Sequence, residues 1–165
     1  RPMVGRALTA QYMPNRPDMK AALSARANQL RGWDDKSNIW PIQELQNGDI
    51  YVADGYGKIV DGTLIGDVLG TSIYAKSKNG FVFDGSVRDV QGLSAIEGLN
   101  GLFREADPSA IKEMQMVRIN GPVRILRRSS SRRRSSSSCE KSGARSRSAP
   151  ANSARLISTR PGPPR

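Results

Sequence analysis

The chain changes character after residue 126. Residues 1–126 contain 15 Lys and Arg and 14 Asp and Glu residues, whereas residues 127–165 contain 11 basic residues and one acidic residue. The formal net charge of +11 therefore comes almost wholly from the last 39 residues. That segment is rich in Arg and Ser, and it buries too little apolar surface to offset its ordering entropy. We predict one folded domain over residues 1–126 and a disordered tail over residues 127–165.

Segments typical of strands and helices alternate along the first 126 residues. Alternation of this kind is typical of an α/β layered domain. We predict a loop over 33–40, strands over 4–12, 50–53, 81–83, 102–103, 114–119 and 123–126, and helices over 18–30, 41–46, 66–78 and a short stretch after Gly92.

An adjacent Arg-Asp pair follows the short apolar strand at 81–83. Asp84-Gly85 ends that strand with turn chemistry, and Arg88-Asp89 lies just beyond the turn. A guanidinium group binds carboxylates with paired hydrogen bonds, and a carboxylate binds hard metal ions. The dipeptide by itself favours an ordinary solvated turn, so its meaning depends on what lies near it.

A glycine-punctuated segment, "GTLIGDVLG" at 62–70, lies about twenty residues upstream of that pair. A helix that begins near Gly66 would direct free backbone N–H groups outward, as carboxylate and phosphate sites require. Glycine at that point lets a ligand approach the backbone closely. Neither G-x-G-x-x-G nor G-x-x-x-x-G-K-[ST] is present, so the segment does not indicate a nucleotide-binding loop.

The composition excludes several kinds of chemistry. The chain has no histidine, which rules out a Ser-His-Asp triad and a His-ligated zinc ion within it. The single cysteine, Cys139, lies in the tail, so thiol catalysis and a disulfide framework are not expected. Carboxylates, Arg, Lys and backbone amides remain, and this inventory suits Mg²⁺ or Mn²⁺ polarising a carbonyl group.

Taken together, these segments resemble the family of the ribonuclease E inhibitor RraA and the 4-hydroxy-4-methyl-2-oxoglutarate aldolases, some of whose members are labelled demethylmenaquinone methyltransferases. The resemblance covers about residues 3–126 and implies a swivelling β/β/α-type domain that assembles into trimers or hexamers. It is carried by "GTLIGDVLG" and "GFVFDGSVRDVQG" with their spacing, and by "VGRALTAQYMPNRPDM", "NGDIYVADGYGKI" and "MVRINGPVRI".

The resemblance also implies roles for individual residues. Arg88 matches the arginine that holds the substrate carboxylate and stabilises enolate charge, and Asp89 matches the metal-ligating aspartate. The stretch Gly66, Asp67, Val68 and Leu69 matches the loop whose backbone amides bind the pyruvyl carboxylate. Asp67 either organises a water molecule for proton transfer or is simply an acidic residue favoured in a first helical turn.

Other polar and aromatic residues are expected to have structural roles. We interpret Asp54 and Asp61 as acidic loop residues and Lys58 as a solvated turn residue. The two tryptophans, Trp33 and Trp40, are interpreted as packing residues.

Three classes of function follow from the resemblance. The leading one is a metal-dependent lyase that releases pyruvate from a 2-oxo acid by retro-aldol cleavage or by oxaloacetate decarboxylation. The second is a protein-binding regulator of a ribonuclease. The third, a methyltransferase, is weakly supported because no glycine-rich S-adenosylmethionine motif is present.

The tail has two competing explanations. A basic, Ser-rich arm would bind nucleic acid non-specifically through phosphate contacts. The alternative, which we favour, is an out-of-frame product, because the family pattern stops abruptly after "PVRIL" and the domain would then be incomplete at its C-terminus. We see no signal peptide and no apolar run long enough for a membrane span, and we expect a cytoplasmic protein.

Overall fold

A computed structural model describes residues 2–32 and 38–125, together with the backbone of a strand at 155–158. The elements in chain order are β1 (Arg6–Pro14), α1 (Pro17–Arg31), α2 (Trp40–Glu44), β2 (Asp49–Asp54), α3 (Asp67–Ser77), β3 (Phe81–Phe83), β4 (Ser86–Val87), α4 (Val90–Ala95), β5 (Asn100–Phe103), β6 (Glu105–Ala106), β7 (Met114–Ile119) and β8 (Arg155–Ser158). This mixed α/β architecture confirms the predicted fold class.

The main sheet has six strands in the order β7-β1-β2-β3-β5-β8. The four central strands are parallel to one another, and the two outer strands run antiparallel to their neighbours. A separate two-stranded ribbon pairs β4 with β6. Because β1, β2, β3 and β5 are parallel, the loops that follow them share one edge of the sheet, which we call the carboxyl edge.

Most predicted elements lie within a few residues of the observed ones. Gly32, predicted to end α1, adopts the left-handed backbone typical of a helix C-cap. The predicted strand at 123–126 is wrong over its described part, because residues 123–125 have no regular structure. The short helix begins at Val90 rather than after Gly92, since a left-handed turn at Asp89 starts it earlier.

The buried core is organised around aromatic residues of the parallel strands. Phe81 stacks on Phe83 with ring centroids 4.6 Å apart, and Tyr51 meets Phe83 edge-on at 5.0 Å. The hydroxyl groups of Tyr12 and Tyr51 lie 3.0 Å apart in this core, and burial raises the pKa of Tyr12 to about 12. Burial also raises the pKa of Tyr51, so both phenols remain neutral. The packed central strands support the loops at the carboxyl edge.

The tail contributes one described element, the edge strand β8. It pairs with β5 so that Gly101 faces Ile157 and Leu102 faces Leu156. At these four positions the structure differs from the expected disorder. The sequence explains why a strand forms here. The only two large aliphatic residues of the tail are Leu156 and Ile157, and β5 would otherwise have an unpaired edge. The remainder of the tail lies outside the described residues, so its disorder and its out-of-frame origin stay predictions.

None of the helices within the described part of the chain is both long and apolar enough to span a membrane.

A buried aspartate that pairs with an exposed arginine lies at the opposite edge of the sheet, where β1 and β2 begin. Asp49 is 2% exposed, and it accepts hydrogen bonds from Arg6 Nε at 2.9 Å and from the Gln46 amide at 2.9 Å. The hydrogen bond from Arg6 lowers the pKa of Asp49 below its ordinary value of 3.8, against the opposing effect of burial. The ionised carboxylate therefore stabilises the folded state.

This ion pair predicts a pH dependence of stability. A lowered pKa stabilises the protein above the ordinary value of 3.8 and ceases to do so as the pH falls through the lowered pKa. The difference in free energy of unfolding between wild type and Asp49→Asn should be constant near neutrality and shrink below about pH 4. Urea unfolding at stepped pH measures it, and a difference that stays constant down to pH 2 would contradict the assignment.

Candidate functional site

The predicted site residues meet at Gly66, immediately before α3. Gly66 has an extended backbone with a φ of −119°, and the first hydrogen bond of α3 runs from the Gly70 amide to the Gly66 carbonyl at 2.9 Å. A Cβ atom on Gly66 would overlap the Asp89 carboxylate and would lie 3.0 Å from Arg88 Nε. The structure therefore brings Arg88 and Asp89 directly against the start of this helix.

Backbone hydrogen bonds hold the two segments together. Ile65 forms a parallel bridge with Val87, the Arg88 amide donates to the Ile65 carbonyl at 3.0 Å, and the Leu64 amide donates to the Ser86 carbonyl at 3.0 Å. Ile65 thus lies in this bridge, two residues before α3 begins. The bridge determines the distance between Gly66 and the Arg-Asp pair.

Arg88 and Asp89 form a half-exposed ion pair. Arg88 Nε donates to Asp89 Oδ2 at 3.2 Å, and the two side chains are 43% and 47% exposed. This contact uses only Nε. Within residues 2–32 and 38–125 the terminal guanidinium nitrogens of Arg88 form no other hydrogen bond or ion pair, so they are open to a ligand. Asp89 has a positive φ of 54°, a conformation uncommon outside glycine that aspartate and asparagine tolerate best.

Asp67 is the first residue of α3, and its side chain lies against α4. Its Oδ1 accepts a hydrogen bond from the Val68 amide at 2.7 Å, and its side chain lies so close to Gly92 that a Cβ there would be 2.9 Å from Asp67 Oδ2. The Val68 amide is therefore already bonded, while the amides of Asp67 and Leu69 precede the first hydrogen bond of the helix. Gly92, which sequence reasoning did not select, gives Asp67 its space.

The donors for a metal ion at this site are carboxylate oxygens. Asp89 is a half-exposed carboxylate that lies against the helix start, and its Oδ1 forms no hydrogen bond or ion pair within residues 2–32 and 38–125. No group of three or more His, Cys, Asp or Glu residues suited to a metal occurs in the same part of the chain. One carboxylate is compatible with Mg²⁺, which keeps several waters and commonly uses one or two protein carboxylates together with substrate oxygens.

The described residues that were expected to have structural roles have contacts of their own. Asp54 is buried and accepts hydrogen bonds from the amides of Tyr56 and Arg124. Lys58 forms an ion pair with Glu113, and Asp61 lies 3.8 Å from Lys112. Trp40, expected in a loop, begins α2 and is 3% exposed, whereas Trp33 lies outside the described residues.

The sequence analysis missed a cluster of hydroxyl groups between β4 and the loop that precedes Gly66. Thr63 Oγ1 lies 3.2 Å from Ser86 Oγ and 3.4 Å from Ser109 Oγ, and Ser86 Oγ donates to the Ile59 carbonyl at 2.7 Å. These bonds tie the loop before Gly66 to β4. Ser and Thr carry no pattern that distinguishes this role, so only the three-dimensional arrangement reveals it.

Fold and site together define an α/β protein whose charged side chains converge on a helix start at the carboxyl edge of a mainly parallel sheet. The family model described as RraA-like, Aldolase/RraA, matches residues 1–129. The chain belongs to this RraA-like family. No curated protein sequence matches the chain significantly.

Several solved structures share the fold of this chain. RraAS2 of Streptomyces coelicolor, described as an unusual member of the RNase ES inhibitor RraA protein family, is 24% identical with a TM-score of 0.54, over 72% of this chain and 52% of that one. An uncharacterized protein from Pseudomonas syringae pv. tomato is 21% identical with a TM-score of 0.51, over 73% and 48% of the two chains.

A third structure, described as one of several novel cellulases from microbes associated with the gut ecosystem, is 18% identical with a TM-score of 0.56, over 74% of this chain and 49% of that one. This chain thus spans about half the length of each of the three structures. Because they share the fold under different descriptions, the fold alone does not decide the activity.

Proposed function

We propose that this protein is a divalent-metal-dependent lyase that releases pyruvate from a 2-oxo acid, by retro-aldol cleavage or by decarboxylation. The observation that supports this most is the contact of Arg88 and Asp89 with Gly66 at the start of α3. An arginine, a hard carboxylate and backbone amides are thereby grouped at one point. Both reactions need these groups, because each develops negative charge on a pyruvate enolate.

The chain's own groups divide the work in this proposal. The terminal nitrogens of Arg88 bind the substrate carboxylate and stabilise the charge that develops on the enolate oxygen. The amides of Asp67 and Leu69 bind the pyruvyl carboxylate with the favourable field of the helix start. The Val68 amide joins them only when Asp67 Oδ1 releases it.

Asp89 is the residue that would hold the metal ion. A bound Mg²⁺ or Mn²⁺ supplies Lewis-acid polarisation of the 2-oxo group. Arg88 keeps the Asp89 carboxylate oriented through its Nε contact, which leaves the other carboxylate oxygen facing outward for a cation.

We propose that Asp67 orients a bound water molecule that transfers a proton to the enolate carbon. Its carboxylate is adjacent to the amides that would bind the substrate, lies against Gly92, and forms no ion pair within the described residues. The competing interpretation is that Asp67 only caps the first turn of α3, consistent with its contact to the Val68 amide.

A metal-dependence screen tests the proposed function. We expect pyruvate release from oxaloacetate or from 4-hydroxy-4-methyl-2-oxoglutarate with Mg²⁺ or Mn²⁺ present, and none after treatment with EDTA. Reactions with metal but no protein provide the baseline, because divalent ions alone promote oxaloacetate decarboxylation. Pyruvate release no faster than this baseline for every 2-oxo acid tested would sink the lyase assignment.

The second candidate is a protein-binding regulator of a ribonuclease. It is favoured by the matching family model, whose description includes RraA beside the aldolases. We propose self-association into trimers or hexamers and a cytoplasmic location for either function. Ribonuclease E assays with the purified protein separate the two candidates, because a regulator lowers RNA cleavage whether or not Arg88 and Asp89 are intact.

A further inference from the structure

Two neighbouring strands of the sheet end in opposite charges. Asp84 follows β3 and Arg104 follows β5, and the parallel register that pairs Val82 with Leu102 brings these two residues side by side. Arg104 Nε donates a hydrogen bond to Asp84 Oδ1, and the side chains are only 16% and 4% exposed.

The Asp84–Arg104 pair lies where the ribbon of β4 and β6 leaves the main sheet. The Asp84 amide donates to the Ala53 carbonyl at 2.9 Å, and the Asp84 carbonyl accepts from the Gly57 amide at 2.9 Å. The Arg104 amide donates to the Gly85 carbonyl at 3.0 Å. The pair therefore joins the ends of three strands at the point where the ribbon begins.

The ribbon in turn carries the proposed site. Its register pairs Ser86 with Glu105 and Val87 with Ala106, and Arg88 follows directly after β4. The Arg88 amide bonds to Ile65, the residue before Gly66. A shift of the ribbon at its base would thus move Arg88 and Asp89 relative to the helix start.

We propose that Arg104 is a positioning residue, whose ion pair with Asp84 holds the ribbon in the register that sets Arg88 and Asp89 against Gly66. Arg104 acts through the ribbon and touches no reacting group. Its removal would leave the Asp84 carboxylate buried without its cation, a strongly unfavourable arrangement that the turn at the ribbon's base can relieve by rearranging. The kinetic consequence rests on the proposed lyase function, whereas the structural consequence does not.

Amide hydrogen exchange of the full chain tests the structural consequence. The variants are Arg104→Met, Arg104→Lys and the control Arg6→Met, which breaks the other Arg pair with a buried Asp, at the opposite edge of the sheet. Three amides bond to the ribbon or follow it directly, and we call them the ribbon amides: Leu64, Arg88 and Asp107. In Arg104→Met we expect faster exchange at these amides, with the Tyr51 amide in β2 unchanged. Arg104→Lys should restore part of the protection, and Arg6→Met should leave the ribbon amides as in wild type.

Pyruvate release from oxaloacetate at saturating Mg²⁺ tests the kinetic consequence. Arg104→Met should lower kcat/KM by about 10²-fold, the order expected for a displacement of roughly 1 Å at a reacting group. Arg104→Lys should recover part of it, and Arg6→Met should keep wild-type kcat even if its thermal midpoint falls equally. Wild-type exchange at the ribbon in Arg104→Met, or equal acceleration across the whole sheet, would overturn the proposal. If wild type releases no pyruvate above the metal-only baseline from any 2-oxo acid tested, the lyase assignment fails and the exchange pattern alone decides the role of Arg104.

Discussion

Replacing Asp89 with asparagine is expected to abolish metal-dependent pyruvate release and to leave the fold intact. Asparagine tolerates the left-handed backbone at this position, where φ is 54°, but it removes the negative charge that would hold the cation. Turnover should remain absent as Mg²⁺ is raised, while the thermal midpoint stays close to that of wild type. Steady-state kinetics over a metal titration, with thermal unfolding of the same sample, measures both.

Asp61→Asn is the matched control for this substitution. Asp61 also has a positive φ, of 55°, and lies in the loop that leads to Gly66, but its carboxylate is 3.8 Å from Lys112. We expect this variant to keep wild-type turnover. Full activity in Asp89→Asn, or equal loss in both variants, would show that Asp89 does not hold the metal.

Introducing a single methyl group at Gly66 is expected to lower kcat/KM by about 10²-fold, the order expected when reacting groups are displaced by roughly 1 Å. The extended backbone of Gly66 accommodates alanine without strain, so the effect comes from the new Cβ atom. That atom would overlap the Asp89 carboxylate and approach Arg88 Nε to 3.0 Å, forcing the pair away from the helix start. The kinetics of Gly66→Ala, compared with its thermal midpoint, measure this displacement.

Gly85→Ala provides the comparison, because it adds the same atom to the turn before β4. A Cβ atom there would meet Leu64 Cδ1 at 3.4 Å, an ordinary van der Waals distance, and Gly85 does not have a positive φ. We expect near-normal activity from this variant. A Gly66→Ala protein as active as Gly85→Ala would show that the close approach of the pair to Gly66 has no part in function.

The strands and helices were predictable where local chemistry and tertiary packing agree. The helix at 18–30 was found from its good helix formers, from Pro17 near its start and from Gly32 past its end. The strand at 81–83 was found as a short apolar run that a turn ends. The predicted strand at 123–126 failed over residues 123–125, because an apolar segment becomes a strand only if a sheet edge accepts its backbone.

The two-residue strands β4 and β6 illustrate the opposite case. They are too short to show any periodicity, and they exist because Ser86 and Val87 pair with residues nearly twenty positions away. Their register depends on the ion pair of Asp84 and Arg104 at the base of the ribbon and on the hydroxyl cluster around Thr63. Long-range pairing of this kind leaves no local signal in a sequence.

The sequence by itself determined the family, the α/β class and the identity of the charged residues, because each depends on residue type and spacing along the chain. Only the tertiary structure decided that Arg88 and Asp89 contact Gly66, that Asp67 rests over Gly92, and that Asp84 and Arg104 pair beneath the ribbon. These contacts depend on the order and register of parallel strands. Residues distant in the chain become neighbours only when the strands that carry them pair. The physical reason is that the backbone hydrogen bonds of a parallel sheet join strands that are far apart in the sequence.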